Sequence, residues 1–146
     1  MKIEKFESKN FEVLMKIWES SVLETHQFLK AEDFLYFKEV IPRDYMPYLD
    51  IYVLNDNGIR GFLSIDAKQI EMLFIEAGAR GNGYGARLLK YAIEKLGIET
   101  LDVNEQNKQA LGFYNKFGFK EIGRSGKDAS GRDYPILHLS LKGNKE

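Results

Sequence analysis

The chain of 146 residues contains no cysteine. That excludes disulfides, zinc sites built on thiolates and any covalent intermediate on a cysteine nucleophile. No run reaches the ~18–20 consecutive apolar residues of a membrane-spanning helix, and Met1-Lys2-Ile3-Glu4-Lys5-Phe6 lacks the apolar core of a secretory leader. A cytoplasmic location, away from membranes, is therefore expected. Charge of one sign is also missing. Twenty-one Lys and Arg against 22 Asp and Glu leave a formal net charge of −1, so no broad basic field predicts nucleic acid as a partner. The three prolines are scattered and low-complexity tracts are absent, which leaves no linker at which to divide the chain. One domain spanning 1–146 is expected.

What is present concentrates in one stretch. Four of the 13 glycines fall between Gly78 and Gly85, three of them in Ala79-Arg80-Gly81-Asn82-Gly83-Tyr84-Gly85-Ala86. Met72-Leu73-Phe74-Ile75 enters it as a strand. Leu88, Leu89, Ala92, Ile93 and Leu96 leave it as one face of a helix, with Gly97 as the C-terminal cap. Glycines let the backbone amides approach a ligand closely, and a helix N-terminus adds unpaired N–H groups and partial positive charge. Strand, glycine loop, helix predicts a phosphate cradle.

The rest of the chain reads as short alternating segments. Ile3 to Phe6 is a strand. Ser8 or Asn10 caps a helix with Phe11, Leu14, Met15, Trp18 and Val22 on one stripe. Phe34, Phe37 and Ile41 mark a second helix that Pro42 ends or kinks. Asp50 to Leu54 and Ile59 to Ile65 flank an Asn-Gly hairpin turn, with Gly61 as a candidate bulge. Gln69 to Ile75 is the next strand and Ile98 to Val103 another. Ala110, Leu111, Phe113, Tyr114 and Phe117 form a short helix, and Phe119 to Ile122 a strand. Gly123 to Asp133 reads as a polar, glycine-bearing loop, of which Ser125 to Asp133 is either a lid or a mobile segment. Tyr134 to Leu141 closes the fold, and the tail Lys142 to Glu146 is expected to fray. The order βααβββαβαββ combines hairpins with one crossover, so a mixed sheet with helices on both faces is expected.

Glycine spacing alone fits several ligands. No Lys-Ser or Lys-Thr follows, which sets aside the nucleoside-triphosphate loop. Gly81, Gly83 and Ala86 match a dinucleotide fingerprint, with Asp102 roughly 20 residues on. That fingerprint, however, normally follows the first strand of a double-wound sheet, whereas here it lies past mid-chain. A plain turn between strand and helix is the remaining reading.

Arg80-Gly81-Asn82-Gly83-Tyr84-Gly85 also resembles the Arg/Gln-x-x-Gly-x-Gly/Ala motif of the GNAT superfamily, the acetyl-CoA-dependent N-acyltransferases. Its setting agrees. Leu73-Phe74-Ile75 resembles that family's fourth strand. The run from Asn107 to Phe119 resembles its Asn-x-x-Ala-x-x-Phe-Tyr-x-x-x-Gly-Phe block. Trp18-x-x-Ser21-Val22 and Thr25-His26-x-Phe28-Leu29 are similar to patterns of its small, stand-alone bacterial members.

The resemblance implies an α+β, three-layer α/β/α fold, with a mixed, mostly antiparallel sheet of about seven strands. It implies an N-acetyltransferase that moves the acetyl group of acetyl-CoA directly to a primary amine of a small molecule or peptide, without a metal, as a monomer or homodimer. By that likeness the amides of Gly81, Asn82, Gly83, Tyr84, Gly85 and Ala86 take the pyrophosphate, with Arg80 adding charge. The backbone of Leu73, Phe74 and Ile75 pairs with the pantetheine arm, and an N–H near Leu73 stabilises the oxyanion. Asn107 hydrogen-bonds the arm, and Tyr114 is the general acid. Glu71 and His26 are the candidate bases. In a regularly alternating strand Glu71 shares the facing of Leu73 and Ile75, unless a bulge intervenes. His138 reads as structural. Glu19, Glu24, Asp33, Tyr36 and Tyr45 are a possible acidic, aromatic site for a cationic amine. A CoA-binding sensor without turnover is the alternative from another class.

Overall fold

The computed structural model describes residues 1–141, so the expectation of a frayed tail at Lys142 to Glu146 falls outside it. Seven strands form one sheet in the order β1-β2-β3-β4-β5-β7-β6. These are β1 (Lys2–Lys5), β2 (Asp50–Asn55), β3 (Ile59–Asp66), β4 (Gln69–Ile75), β5 (Thr100–Asn104), β6 (Lys120–Ser125) and β7 (Ile136–Ser140). Every neighbouring pair is antiparallel except β4 and β5, which run parallel. A parallel pair needs a crossover, and α3 (Tyr84–Leu96) supplies it. The mixed, mostly antiparallel sheet with helices on both faces is as the sequence predicts.

Alternation assigns the two faces. Leu63, Ile70, Leu101, Val103, Leu137 and Leu139 point to a cluster with Leu88, Leu89 and Ala92 of α3 and Tyr114 of α4 (Lys108–Lys116). Ile51, Val53 and Phe62 point the other way, onto Leu14, Ile17, Trp18 and Val22 of α1 (Glu12–Thr25). Trp18 stacks on Phe34 of α2 (Ala31–Val40) with ring centroids 5.3 Å apart. The apolar residues of α1 recur every three or four positions, which is why it lies flat on the sheet. Its start is fixed by Asn10, whose Oδ1 accepts from the Glu12 N–H at 3.0 Å.

Several boundaries differ from the sequence reading. After Val40 the chain widens into a π-helical turn, Ile41–Tyr45, then tightens into a 3-10 turn, Met46–Tyr48. Pro42 lacks the N–H that would continue the α ladder. Strand β6 reaches Ser125, taking in Gly123 to Ser125, which reads as loop in the sequence. It is an edge strand with a bulge between Glu121 and Gly123, so its residues are polar and show no alternation. Tyr134 and Pro135 precede β7 rather than belonging to it. The loop after β6 carries its own hydrogen bonds. In that loop Asp128 Oδ1 accepts from the backbone N–H groups of Ser130 and Arg132 and from the Ser130 hydroxyl, a self-bonded structure.

Gly61 sits beside a register shift between Leu54 and Asn55 of β2. Its own requirement is close approach. A Cβ there would lie 2.9 Å from the Phe74 carbonyl oxygen and 2.5 Å from Ile75 Cδ1. Gly61→Ala is therefore expected to push β3 from β4, at a cost of about 1–3 kcal/mol of stability, measured by urea denaturation.

Candidate functional site

The site begins where the sheet splits. Strands β4 and β5 pair only at Gln69 with Thr100 and at Ile70 with Leu101. Beyond that rung β4 continues to Ile75 and β5 to Asn104 without pairing to each other. Past that rung the β4 residues Leu73, Phe74 and Ile75 line a cavity of about 320 Å³. Its lining brings together most of the residues singled out in the sequence: His26, Leu73, Phe74, Ile75, Arg80, Gly81, Gly83, Tyr84, Gly85, Ala86, Asn107 and Tyr114. Asn82 and Glu71 lie outside that lining.

The glycine loop is tied down on both sides. Gly81 and Gly83 adopt φ of +85° and +76°, the left-handed region that glycine enters without strain. A Cβ at either would meet no atom within 4 Å, so the space above them is open. Gly83 precedes the first turn of α3, whose leading amides have no carbonyl partner within the helix. Those amides are therefore available to an anion. Asn82 donates its side-chain N–H to the Ala79 carbonyl at 2.9 Å, which explains its absence from the cavity wall. The Tyr84 hydroxyl donates to Asp56 at 2.6 Å, so only the backbone of Tyr84 is left for a ligand. Arg80 turns towards α1: its Nε is 2.6 Å from the Glu24 carboxylate and its Nη2 donates to Ser21 Oγ at 2.7 Å. The Ala77 N–H donates to Ser20 Oγ at 3.2 Å, a second tie to the same helix.

Helix α4 brings in the other wall. Asn107 caps it, its Oδ1 accepting from the Ala110 N–H at 3.2 Å. Tyr114 is 8% exposed, with Phe113 and Phe119 edge-on to its ring. Burial pushes its phenol well above the usual range. The hydroxyl is thus fixed in its neutral, proton-bearing form, and it hydrogen-bonds to no side chain among the described residues.

The two candidate bases lie apart. His26 lines the cavity, its ring 5.1 Å from Phe28 and 6.3 Å from Phe74. Burial, with the Arg80 charge added, lowers its pKa to about 4. The Thr25 hydroxyl donates to the Ser21 carbonyl at 2.8 Å and lies 2.8 Å from His26 Nδ1. Its one hydrogen being spent, it accepts from Nδ1–H, which leaves a lone pair on Nε2.

Glu71 is displaced by the bulge between Ser64 and Ile65 of β3, where Met72 and Ile70 are the consecutive partners and Glu71 is the extra residue. Ile70 and Leu73 both face the α3 cluster. The expected facing with Leu73 and Ile75 is therefore corrected: Glu71 falls on the opposite face, with Met72. Its pKa is raised by burial, then by the nearby charges of Asp102 and Asp66, while a hydrogen bond from Gln69 opposes the rise.

Some groups escaped the sequence reading. Ser21, Thr25, Gln109 and Phe113 also line the cavity; for Ser21 the signal was its place in the Trp-x-x-Ser-Val pattern. His138 joins a chain across three strands, with Nδ1 2.7 Å from Asp102 Oδ1 and Nε2 2.8 Å from Ser125 Oγ. The supposed acidic site does not assemble as free carboxylates. Glu19 pairs with Lys38 at 3.1 Å, Glu24 with Arg80, and Asp33 with Arg132 at 2.8 Å. Among the described residues no group of three or more His, Cys, Asp or Glu could hold a metal, and no helix is long and apolar enough to cross a membrane.

Comparison with known proteins agrees with this geometry. A family model described as an acetyltransferase (GNAT) domain matches residues 28–135. The peptidyl-lysine N-acetyltransferase YjaB of Escherichia coli is 38% identical over 135 residues, 90% of each chain. The solution structure of its apo form superposes with a TM-score of 0.87 at 36% identity, covering 97% of both chains. The PaiA N-acetyltransferase of Thermoplasma acidophilum, in complex with coenzyme A, shares the fold at a TM-score of 0.68 and 20% identity, over 96% of this chain and 99% of that one.

The state of His26 carries a prediction about stability. Its pKa is lower in the folded protein than the 6.5 of a free imidazole, so below pH 6.5 the unfolded chain takes up the proton first. The contribution of His26 is full above pH 6.5 and declines as the pH falls towards 4. Urea denaturation at pH 7 and pH 5 is expected to show a smaller loss of stability in His26→Gln than in the wild type.

Proposed function

The chain belongs to the GNAT acetyltransferase family, and we propose that, as an N-acetyltransferase, it passes the acetyl group of acetyl-CoA directly to the ε-amine of a peptidyl lysine. The observation that carries this is the split between β4 and β5, which ends on the glycine loop and the N-terminus of α3. An extended thioester arm with an anionic end has the shape and charge for that gap. The names of the YjaB relatives support a lysine acceptor.

In this reading the amides from Gly81 to Ala86 hold the pyrophosphate, with the helix N-terminus contributing partial positive charge. The unpaired edge of β4 from Leu73 to Ile75 pairs with the pantetheine arm as an added strand would. The amine nitrogen attacks the thioester carbonyl carbon. A backbone N–H of β4 near Leu73 receives the negative charge that develops on oxygen. As the tetrahedral intermediate collapses, the C–S bond breaks and the Tyr114 hydroxyl donates to the departing sulfur. Burial disfavours the phenolate, so the proton passed to sulfur is replaced by the one the amine releases.

A second proton, the one a lysine ammonium sheds before its nitrogen can attack, goes to Glu71 through water, because burial and its acidic neighbours make it a stronger base than an ordinary carboxylate. His26 stays neutral, and its Nε2 accepts a hydrogen bond from the incoming amine and orients it. Asn107 and Arg80 serve binding. No step calls for a metal, and the absence of cysteine from the chain excludes an acetyl-cysteine intermediate.

Release of free thiol from acetyl-CoA in the presence of a lysine peptide is the direct assay. Tyr114→Phe is expected to lower kcat on the order of 10²-fold and to leave CoA binding unchanged; unaltered turnover removes the acid role. In pH–rate profiles Glu71→Gln is expected to lose the acidic limb, whereas His26→Ala keeps it and raises the acceptor KM. If both variants keep the wild-type profile, neither residue is the base. CoA binding without thiol release on any amine would identify a sensor instead.

A further inference from the structure

The apolar cluster under α1 and α2 takes its strand residues from β2, β3 and β4 alone. Beyond it the same face of the sheet carries polar side chains. Leu101, Val103, Leu137 and Leu139 point to the α3 cluster, so by alternation Asp102 and His138 point the other way. These two are direct cross-strand partners on β5 and β7, with side chains 41% and 35% exposed.

Ser125 joins them through a bulge. Glu121 pairs with Leu139, but Gly123 rather than Ile122 pairs with His138. Glu121 therefore shares the facing of Leu139, and without the extra residue Ser125 would share it too. The bulge turns Gly123 and Ser125 to the His138 side. Ser125 Oγ lies 2.8 Å from His138 Nε2, and His138 Nδ1 2.7 Å from Asp102 Oδ1. In the neutral ring a carboxylate at Nδ1 fixes the hydrogen there, so Nε2 accepts from the Ser125 hydroxyl. Nucleophile, base and orienting carboxylate thus stand in hydrogen-bonded sequence, an arrangement defined by geometry and not by chain order. None of the three lines the cavity beside the glycine loop.

The surroundings suit acyl chemistry. Gly126 follows the serine just past the end of β6. Among the described residues no group accepts from its N–H or from that of Lys127. A Cβ at Gly126 would meet no atom within 4 Å. The N–H directly after a nucleophilic serine is where a donor to the oxyanion is required. Ile136, the cross-strand partner of Ser125, sets a half-buried apolar side chain beside the hydroxyl. The site is part-exposed, which suits a short acyl group.

We propose that Asp102, His138 and Ser125 form a second catalytic site, a serine-esterase centre that hydrolyses esters of short-chain carboxylic acids. It is independent of the acetyl transfer and uses none of the residues assigned to that reaction. Ser125 Oγ attacks the ester carbonyl carbon while its proton passes to His138 Nε2. The Asp102 carboxylate stabilises the imidazolium, and the amides after Ser125 receive the oxyanion. The C–O bond to the alcohol then breaks. The alcohol leaves with the Nε2 proton, and the acyl group stays on Ser125. Water attacks the acyl carbon and gives a proton to Nε2. The acid departs as the Ser125 oxygen takes that proton back.

The test uses the full chain without CoA. Hydrolysis of p-nitrophenyl acetate is followed, and a fluorophosphonate label is located by peptide mass spectrometry. Wild type is expected to turn over the ester repeatedly and to carry the label on Ser125. Ser125→Ala is expected to lose the label and to lower ester turnover on the order of 10²-fold. Asp102→Asn is expected to slow labelling by a similar factor, because its amide can donate to Nδ1 and leave the hydrogen on Nε2. Thermal unfolding checks that each variant is folded.

A wild type unlabelled at Ser125 overturns the proposal, and that measurement needs no variant to fold. A merely structural cross-strand hydrogen bond gives this result. Ester turnover unaltered by Ser125→Ala overturns it too, since the hydrolysis then belongs to other nucleophiles. So does a labelled Ser125 in a protein that releases no more than one p-nitrophenol per chain, because release by water is part of the step. Equal labelling rates in Asp102→Asn and wild type overturn the role of Asp102.

Discussion

The parallel pairing of β4 with β5 stops after two residue pairs. Backbone N–H and C=O groups do not remain unpaired in an interior without a partner, so the edges past Ile70 and Leu101 must face either solvent or a ligand. A parallel pair also requires a crossover, and here it is α3. The N-terminus of that helix therefore sits at the carboxyl end of β4, where ligands of α/β sheets bind. The unpaired strand edge, the glycine loop and the helix dipole meet at one place because of this single local topology.

The donor loop is not an independent module. Ser20, Ser21 and Glu24 of α1 hold Ala77 and Arg80, while Asp56 in the β2–β3 turn holds Tyr84. The same last turn of α1 places Thr25 and His26 on the cavity wall. The helix that anchors the glycine loop thus also leads into His26 on the cavity wall. Arg80 illustrates the economy of this arrangement: its charge neutralises Glu24 and helps to keep His26 unprotonated.

Much of the fold was legible because the signals were local. The hairpin at Asn57-Gly58, the stripe of α3 and its Gly97 cap depend on residues close in sequence. The gathering of one cavity's lining was legible for the same reason, much of it being one continuous stretch plus the Asn107 to Tyr114 block. What stayed hidden depends on pairing. The bulge at Glu71 exists only against β3, and it reverses the face of that carboxylate. The extension of β6 through Ser125 depends on β7, since an edge strand of polar residues carries no alternation of its own. The charges of α1 and α2 looked free because their partners are distant, as Asp33 is from Arg132. The partners of His138, Asp102 and Ser125, were equally hidden, because they join it from two other strands.

The separation of Asp33 from its partner Arg132 bears on how the protein is made. Asp33 and Arg132 are 99 residues apart. During synthesis the strands up to Ile75 can assemble as an antiparallel meander through short connections, which close rapidly. The carboxylate of Asp33 then waits, hydrated, until the last part of the chain has left the ribosome. The glycine loop and α3 precede that moment and the segment between β6 and β7 follows it. A nascent chain cut short before Arg132 therefore carries the glycine loop in its sequence but not the residue that pairs with Asp33.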